Sequence, residues 1–463
     1  MKKILCLLLA LVMTVGLLAC SGSNENQGEG GQAAATSLQV GYAKINVTPD
    51  YSVGLSGYSN ASERMSNGFV TYIFATCVAV TEGEDTILMI TLDNIAMEHS
   101  NADTFRTLIT EATGIPGDKI FFGATHSHSC PEKSGRYMTD LKNWIVEAAQ
   151  TALADRAPAT MFAGTQEIPG MNFVRHYLME DGTYSGSNFG NTNQAYIAHA
   201  TDPDPQMVLV KFQREGDKKD VLLVNWQAHP DSASAIGYNS IAASWVGPLR
   251  DELEKLSGMN VAYFTGAAGN QNMGSNLAEE KHGLNWSDYG TKMGQLTNEA
   301  LSCLQPVTGS GIKTHGQMFT VEIDHSWDHM LAEANEVYDT WKSINKSAGD
   351  ALGKQYGFTS SYQARAIRSR ASMGATAQLE LNAFSICGVG FTTGTYEMFS
   401  THSNYVKANS PFDITFVITG CSGYIPTPEA YDYRSYEADT GYYAKGTGEK
   451  LAEEYVKMLE TVK

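Results

Sequence analysis

Lys119-Ile-Phe-Phe-Gly-Ala-Thr-His126-Ser-His128-Ser129 runs an apolar stretch of strand length directly into two histidines spaced i, i+2. A short, continuously apolar run of this kind fits a strand buried on both faces, as in the sheets of α/β proteins. In such folds the chemistry gathers at strand ends. The two histidines are expected to divide the labour there. A catalytic zinc keeps one position open and needs a separate acid or base beside it, so one ring would hold metal while the other, turned away from it, acts on substrate.

The same pattern recurs outward along the chain. Val221–Trp226 ends in Gln-Ala-His229-Pro230, Ala383–Phe391 is followed by Thr-Thr-Gly-Thr-Tyr-Glu397, and Phe412–Thr419 runs into Gly-Cys-Ser-Gly-Tyr424. Further strands are expected at Val70–Val80, Thr86–Leu92, Met207–Phe212 and Val261–Phe264. Helices fall between them. Leu141, Trp144, Ile145, Ala148 and Ala152 share one helical face, and Val246, Leu249, Leu253 and Leu256 share another that stops at Gly258. Leu451, Tyr455, Met458 and Leu459 mark a C-terminal helix, and Trp327–Ala375 reads as a polar helical insertion packed against the sheet. The alternation predicts an α/β protein, with one large domain over 38–463 built on a mixed β-sheet flanked by helices.

Composition narrows the class. Of 463 residues 43% are hydrophobic and 18% charged, which excludes a largely disordered chain, and the net charge of −18 with no basic run argues against nucleic acid as a partner. Residues 1–19 carry two lysines and an apolar run too short to span a bilayer, followed by Leu17-Leu18-Ala19-Cys20. This is a bacterial lipoprotein signal, with Cys20 as the lipidated residue. Residues 20–37, rich in Gly, Ser and Asn, form a flexible tether. The expected location is the cell envelope, lipid-anchored to the membrane and facing outside the cytoplasm. Five cysteines follow, Cys77, Cys130, Cys303, Cys387 and Cys421, with no CxxC pair, and most of them read as small buried residues.

In order along the chain, GYAKINVTPDYSVGLSGYS from Gly41, ATHSHS from Ala124, NWQAHP from Asn225, FTGAAGNQN from Phe264, TYEMF from Thr395 and SGYIPTPEAY from Ser422 resemble successive motifs of the neutral/alkaline (non-lysosomal) ceramidase family, in its N-terminal catalytic domain. The resemblance implies a zinc held by His126, His229, Glu397 and Tyr424, with His128, Arg175 and Tyr436 around the scissile carbonyl. It implies hydrolysis of an N-acyl amide, ceramide-like or smaller, by metal-activated water. Two residues depart from the family's G-D-x-S-P: Asn270 stands at its aspartate and Asn272 at its serine. An asparagine is no acyl-transfer nucleophile, so turnover would proceed without a covalent intermediate and favour a smaller or more polar N-acyl substrate than long-chain ceramide. The alternative is a catalytically impaired lipid- or glycan-binding surface lipoprotein on the same scaffold. Asp93, after the strand Thr86–Leu92, is a candidate to orient a ligand histidine through its free ring nitrogen, against the plainer reading of a structural carboxylate.

Overall fold

Ile120–Ala124 has no polar side chain and forms a strand with all five residues buried, parallel to Asp85–Leu92. Parallel neighbours need a crossover, here the helix His99–Thr113, ended by Gly114 at φ 76°. Two further pairs repeat the unit. Val221–Trp226 lies parallel to Asn260–Thr265 across the helix Val246–Ser257, and Val389–Gly394 lies parallel to Thr415–Thr419 across Ser400–Asn409. The computed structural model describes residues 38–58, 61–185 and 195–463. The leader, Cys20 and the tether of residues 20–37 lie outside the described residues.

The first two pairs form the edges of a nine-stranded mixed sheet. Its order is Asn260–Thr265, Val221–Trp226, Gln206–Arg214, Ala157–Glu167, Gln39–Asn46, Phe74–Glu82, Asp85–Leu92, Ile120–Ala124, with Gln305–Pro306 added on Ala157–Glu167. The third pair sits in a four-stranded sheet with Ile312–Glu322 and Thr376–Ile386. Side chains from all three pairs meet in one inner core that includes Met89, Phe121, Leu223, Phe264, Phe391 and Phe416. Phe121 stacks on Phe384 of Thr376–Ile386 at 4.1 Å between ring centroids, tying the first pair to the sheet that carries the third. Removing such a buried ring costs about 3–5 kcal/mol. Helices cover the outer faces: Gly135–Ala154 buries Leu141, Ile145, Ala148 and Ala152, and Thr447–Thr461 buries Leu451, Tyr455, Met458 and Leu459. Because the inner core aligns the three pairs, their carboxyl ends open at one place. Among the described residues no helix is long and apolar enough to cross a membrane.

Several sequence expectations need correction. The run Ala383–Phe391 is not one strand but parts of two antiparallel ones, Thr376–Ile386 and Val389–Gly394, turned at Cys387 (φ 50°) and Gly388 (φ 89°). Two successive positive φ values make the tight hairpin turn whose usual sequence mark is Asn-Gly, and a cysteine hides it. Leu256 does not join the buried face of its helix and is 46% exposed. The insertion forms three helices, Leu331–Ser343, Lys346–Gln355 and Ser361–Ala371, with a small core of their own around Ala334, Val337, Phe358 and Ile367. Rather than lying on the sheet, it reaches the segment Tyr436–Thr440, where Thr359 Oγ1 donates to Asp439 at 2.6 Å.

Candidate active site

His126 follows the first parallel pair at φ 65°, a backbone region that costs a non-glycine residue roughly 1–3 kcal/mol and is found at functional sites. Its Nδ1 lies 2.5 Å from the Ile95 carbonyl. A carbonyl only accepts, so Nδ1 carries the proton and Nε2 of the neutral ring keeps its lone pair. That lone pair faces a crowd. His229 Nε2, beyond the second pair, lies 2.9 Å away, His128 Nε2 lies 3.4 Å away, and the His128 and His229 Nε2 atoms are 2.9 Å apart. Glu397, beyond the third pair, puts Oε2 3.3 Å from His126 Nε2.

His128 does not turn away from His126 as expected. Residues i and i+2 of an extended chain share a face, and the turn at His126 leaves both rings aimed at His229. Gly57 makes room for this. At φ 101°, it would place a Cβ 2.6 Å from His128 Cα, so no other residue fits without a shift. Arg64 Nη2 donates to the His128 carbonyl at 3.1 Å. Asp231 Oδ1 stands 3.9 Å from His128 Nδ1 and accepts a hydrogen bond from Tyr58.

Glu397 and Tyr424 are register partners in a two-residue parallel bridge that extends the third pair. Arg175 is held between them and the rest of the site. It donates from Nε to Glu437 at 2.7 Å, and from Nη2 to the Gly269 carbonyl at 2.9 Å and the Tyr424 hydroxyl at 3.3 Å. Tyr436 stands beyond, its ring 6.0 Å from that of Tyr424. The seven residues that the resemblance assigns to the metal and the carbonyl are therefore joined in one continuous set of contacts.

The electrostatics follow from burial and from these neighbours. Burial would pull the His126 pKa down, but Glu397 and Cys421 together outweigh it and the net direction is up. Burial, with His126 and Arg175 adding to it, holds His229 well below its usual range, and burial takes His128 down to about 4. Burial pushes Tyr436 up to about 12, which keeps its hydroxyl protonated. Glu437 is held at about 2 because Arg175 and His176 overcome its burial.

The residues fit a divalent cation. Glu397 Oε2 is buried and accepts no hydrogen bond among the described residues, a cost of roughly 1–3 kcal/mol or more for a charged group unless something positive meets it. Ligand atoms about 2.0–2.1 Å from a tetrahedral zinc stand about 3.3–3.4 Å apart, close to the spacing here. Imidazole nitrogens with a carboxylate suit zinc among the common metals.

Several functional neighbours escaped the sequence reading. Glu437 bonds Arg175 and also His176 Nε2, at 2.8 Å, while the Tyr433 hydroxyl lies 2.6 Å from His176 Nδ1. The adjacency of Glu437 to Tyr436 and of His176 to Arg175 was the available signal. Cys421, at φ 60°, brings its thiol beside His126 rather than serving only as packing. Asp93 does not orient a histidine. It is paired with Arg250, Oδ1 to Nη1 at 3.0 Å, and accepts from the Phe74 amide. Asn270 Oδ1 accepts from the Ser400 amide at 2.9 Å, so its side chain anchors the start of a helix. Asn272 pairs through its backbone with Phe173 and His229.

No protein-family model matches the chain. No curated protein matches it either. Solved structures do. It is similar to the neutral ceramidase from Pseudomonas aeruginosa, at 16% sequence identity and a TM-score of 0.66 over 92% of this chain and 74% of that one. A structure described as a ceramidase complexed with C2 gives 15% identity and a TM-score of 0.67, over 92% of this chain and 75% of that one. The mixed α/β fold of this chain, with its three strand pairs converging on one cluster of histidines, is thus a neutral ceramidase-like fold.

Proposed function

We propose that the protein is a zinc-dependent hydrolase of an N-acyl amide. The observation that carries this reading is the meeting of the His126, His128 and His229 Nε2 atoms with Glu397 Oε2, which is buried and accepts no hydrogen bond among the described residues. A protein that only binds lipid or glycan has no use for such a costly arrangement. His126, His229 and Glu397 would hold the metal with Tyr424 completing the set. Zinc, when bound, supplies a Lewis acid that lowers the pKa of water from about 15.7 towards ~7 and polarises a carbonyl.

The chain's own residues supply the rest. His128 takes the proton of the attacking water and delivers it to the amine as the C–N bond breaks, leaving a carboxylic acid and a free amine. Arg175 and Tyr436 donate to the carbonyl oxygen as charge grows on it, and Glu437 keeps the guanidinium aimed. No serine is needed for this route, which suits Asn272. Support for ceramide-like amides as the substrate class comes from the similar solved structures. The lipoprotein signal supports attachment to the membrane through Cys20, which labelling with a radioactive fatty acid would check by its loss in Cys20→Ala. The function is tested by metal analysis and turnover together. About one zinc per chain, with zinc-dependent cleavage of at least one member of an N-acyl amine panel that includes ceramides, is the expected result. Metal-free folded protein, or zinc-loaded protein inert on the whole panel, overturns the reading.

A further inference from the structure

The helical insertion brings one uncommitted cation to the site. Arg365 lies on Ser361–Ala371, the helix that faces Tyr436–Thr440. Its guanidinium carbon is 5.4 Å from the centre of the Tyr362 ring, and that ring stands 6.0 Å from Tyr436, edge to face. Tyr436 in turn adjoins Tyr424. The line from Glu397 outward is therefore Tyr424, Tyr436, Tyr362, Arg365. All four of these side chains are half-buried, as expected of a wall that both protein and solvent reach.

Arg365 is unusual in having no polar partner. Arg175 is spoken for by Glu437, Arg370 by Asp324, Arg434 by Gly357 and Gln363, and Lys346, which also packs on Tyr362, by Asp350. Among the described residues the Arg365 guanidinium donates to no carboxylate, carbonyl or hydroxyl, and in this it is matched only by Arg368, which stacks on Tyr338 at 4.0 Å. In a chain of net charge −18 there is no shortage of carboxylates to pair with. Asp231, beside His128, is engaged by Tyr58. A planar guanidinium stacked on an aromatic ring and left with its donors free matches a carboxylate in two-pronged fashion.

We infer that Arg365 selects an acidic substrate: an N-acyl compound, such as an N-acyl amino acid, whose carboxylate pairs with the Arg365 guanidinium at the end of the tyrosine wall. The inference rests on the amide-hydrolase reading for its chemistry, but its test does not. N-dodecanoyl amino acids and the N-dodecanoyl amino alcohols of equal length differ in that a neutral hydroxymethyl group replaces the carboxylate. Their binding to metal-chelated protein, measured by titration calorimetry, reads recognition without turnover.

The acids are expected to bind at least ~10-fold more tightly than the alcohols, since a hydrogen bond to a charged group contributes roughly 1.5–3 kcal/mol. Arg365→Gln should bring that ratio close to one, Arg365→Lys should restore part of it, and Arg368→Gln should leave it unchanged. Raising the salt should weaken wild-type binding of the acids only, a check that needs no variant. Equal binding of acids and alcohols by the wild type, a ratio untouched in Arg365→Gln, or no binding of either series overturns the inference. Turnover of the alcohols alone by zinc-loaded enzyme would leave the hydrolase reading standing and remove this one.

Discussion

Among the described residues, two groups of side chains bring three metal-ligand atoms within reach of one another: His126, His128 and His229, and, on the flank of the four-stranded sheet, His99, Asp103 and Glu380. By residue type the second is the better cation trap, with two carboxylates against none. Its charge, however, is already met. Arg106 donates from Nη1 to Glu380 Oε2 at 2.8 Å and from Nη2 to Oε1 at 2.5 Å, and it reaches Asp103 at 3.1 Å, while Asn382 and His99 take up what remains. Around the first group, Glu397 Oε2 is buried and accepts no hydrogen bond among the described residues, with a histidine, His126, rather than an arginine at ion-pair distance. A cation site is marked by charge that the protein leaves uncompensated more than by the number of ligands.

The largest effect expected from this comparison is loss of the metal. His126→Ala, His229→Ala or Glu397→Ala should abolish both zinc binding and turnover, whereas His99→Ala should leave zinc content at one per chain. Metal analysis by mass spectrometry reads this directly, and full zinc occupancy in Glu397→Ala would show that the orphaned carboxylate is not a ligand. A narrower question is whether His128, equally close to His229, belongs to the metal or to the substrate. Assigned as the proton carrier, it predicts that His128→Ala keeps its zinc and loses ~10²–10⁴-fold in kcat. If zinc leaves as well, His128 is a third ligand and the proton needs another carrier, for which Asp231 is the nearest acid.

The charged residues beside the site give a third, smaller effect. Glu437 has a folded pKa of about 2, below the unfolded value near 4.3, so it contributes stability above that unfolded value and loses it as pH falls towards 2. The shift corresponds to about 3 kcal/mol. Urea unfolding should find Glu437→Gln less stable than wild type by about that amount at pH 7, with the gap closing as the pH drops below 4. A gap independent of pH would mean that packing, rather than the bond to Arg175, sets the cost.

How much of this was legible beforehand depended on the kind of signal. Buried parallel strands announce themselves, because both faces must be apolar, and so Ile120–Ala124, Val221–Trp226 and Thr415–Thr419 were found with the histidines and tyrosine after them, while Glu397 was found after a run that is parts of two strands. Strands such as Gln39–Asn46, Ala157–Glu167 and Ile312–Glu322 were missed since partly exposed residues interrupt their apolar pattern. Compensation was hidden altogether. Nothing local to Asp93 reveals that Arg250, 157 residues away, neutralises it, and nothing near Arg365 reveals that no acid does. Asn270, read as a departure bearing on substrate, turns out to hold a helix amide that an aspartate would hold as well.

The comparison of the two clusters can also be broken from its weaker side, with the smallest effect of the set. If Arg106 is what keeps His99, Asp103 and Glu380 from binding metal, then Arg106→Gln leaves Glu380, only 9% exposed, without its cation. The carboxylate must then protonate, draw water in or find another positive charge. One imidazole and two carboxylates suit zinc, but the His99 and Asp103 side chains are 41% and 54% exposed, so screening and side-chain freedom keep the affinity modest. A dissociation constant on the order of 10⁻⁴–10⁻³ M, as in weak calcium modules, is the expected range. Calorimetry of Arg106→Gln with its first zinc in place should therefore show a second, weak event that the wild type lacks and that His99→Ala in the same background removes. If Arg106→Gln binds a single zinc as the wild type does, the internal arginine is not what separates the two clusters, and the geometry of the histidines alone must be.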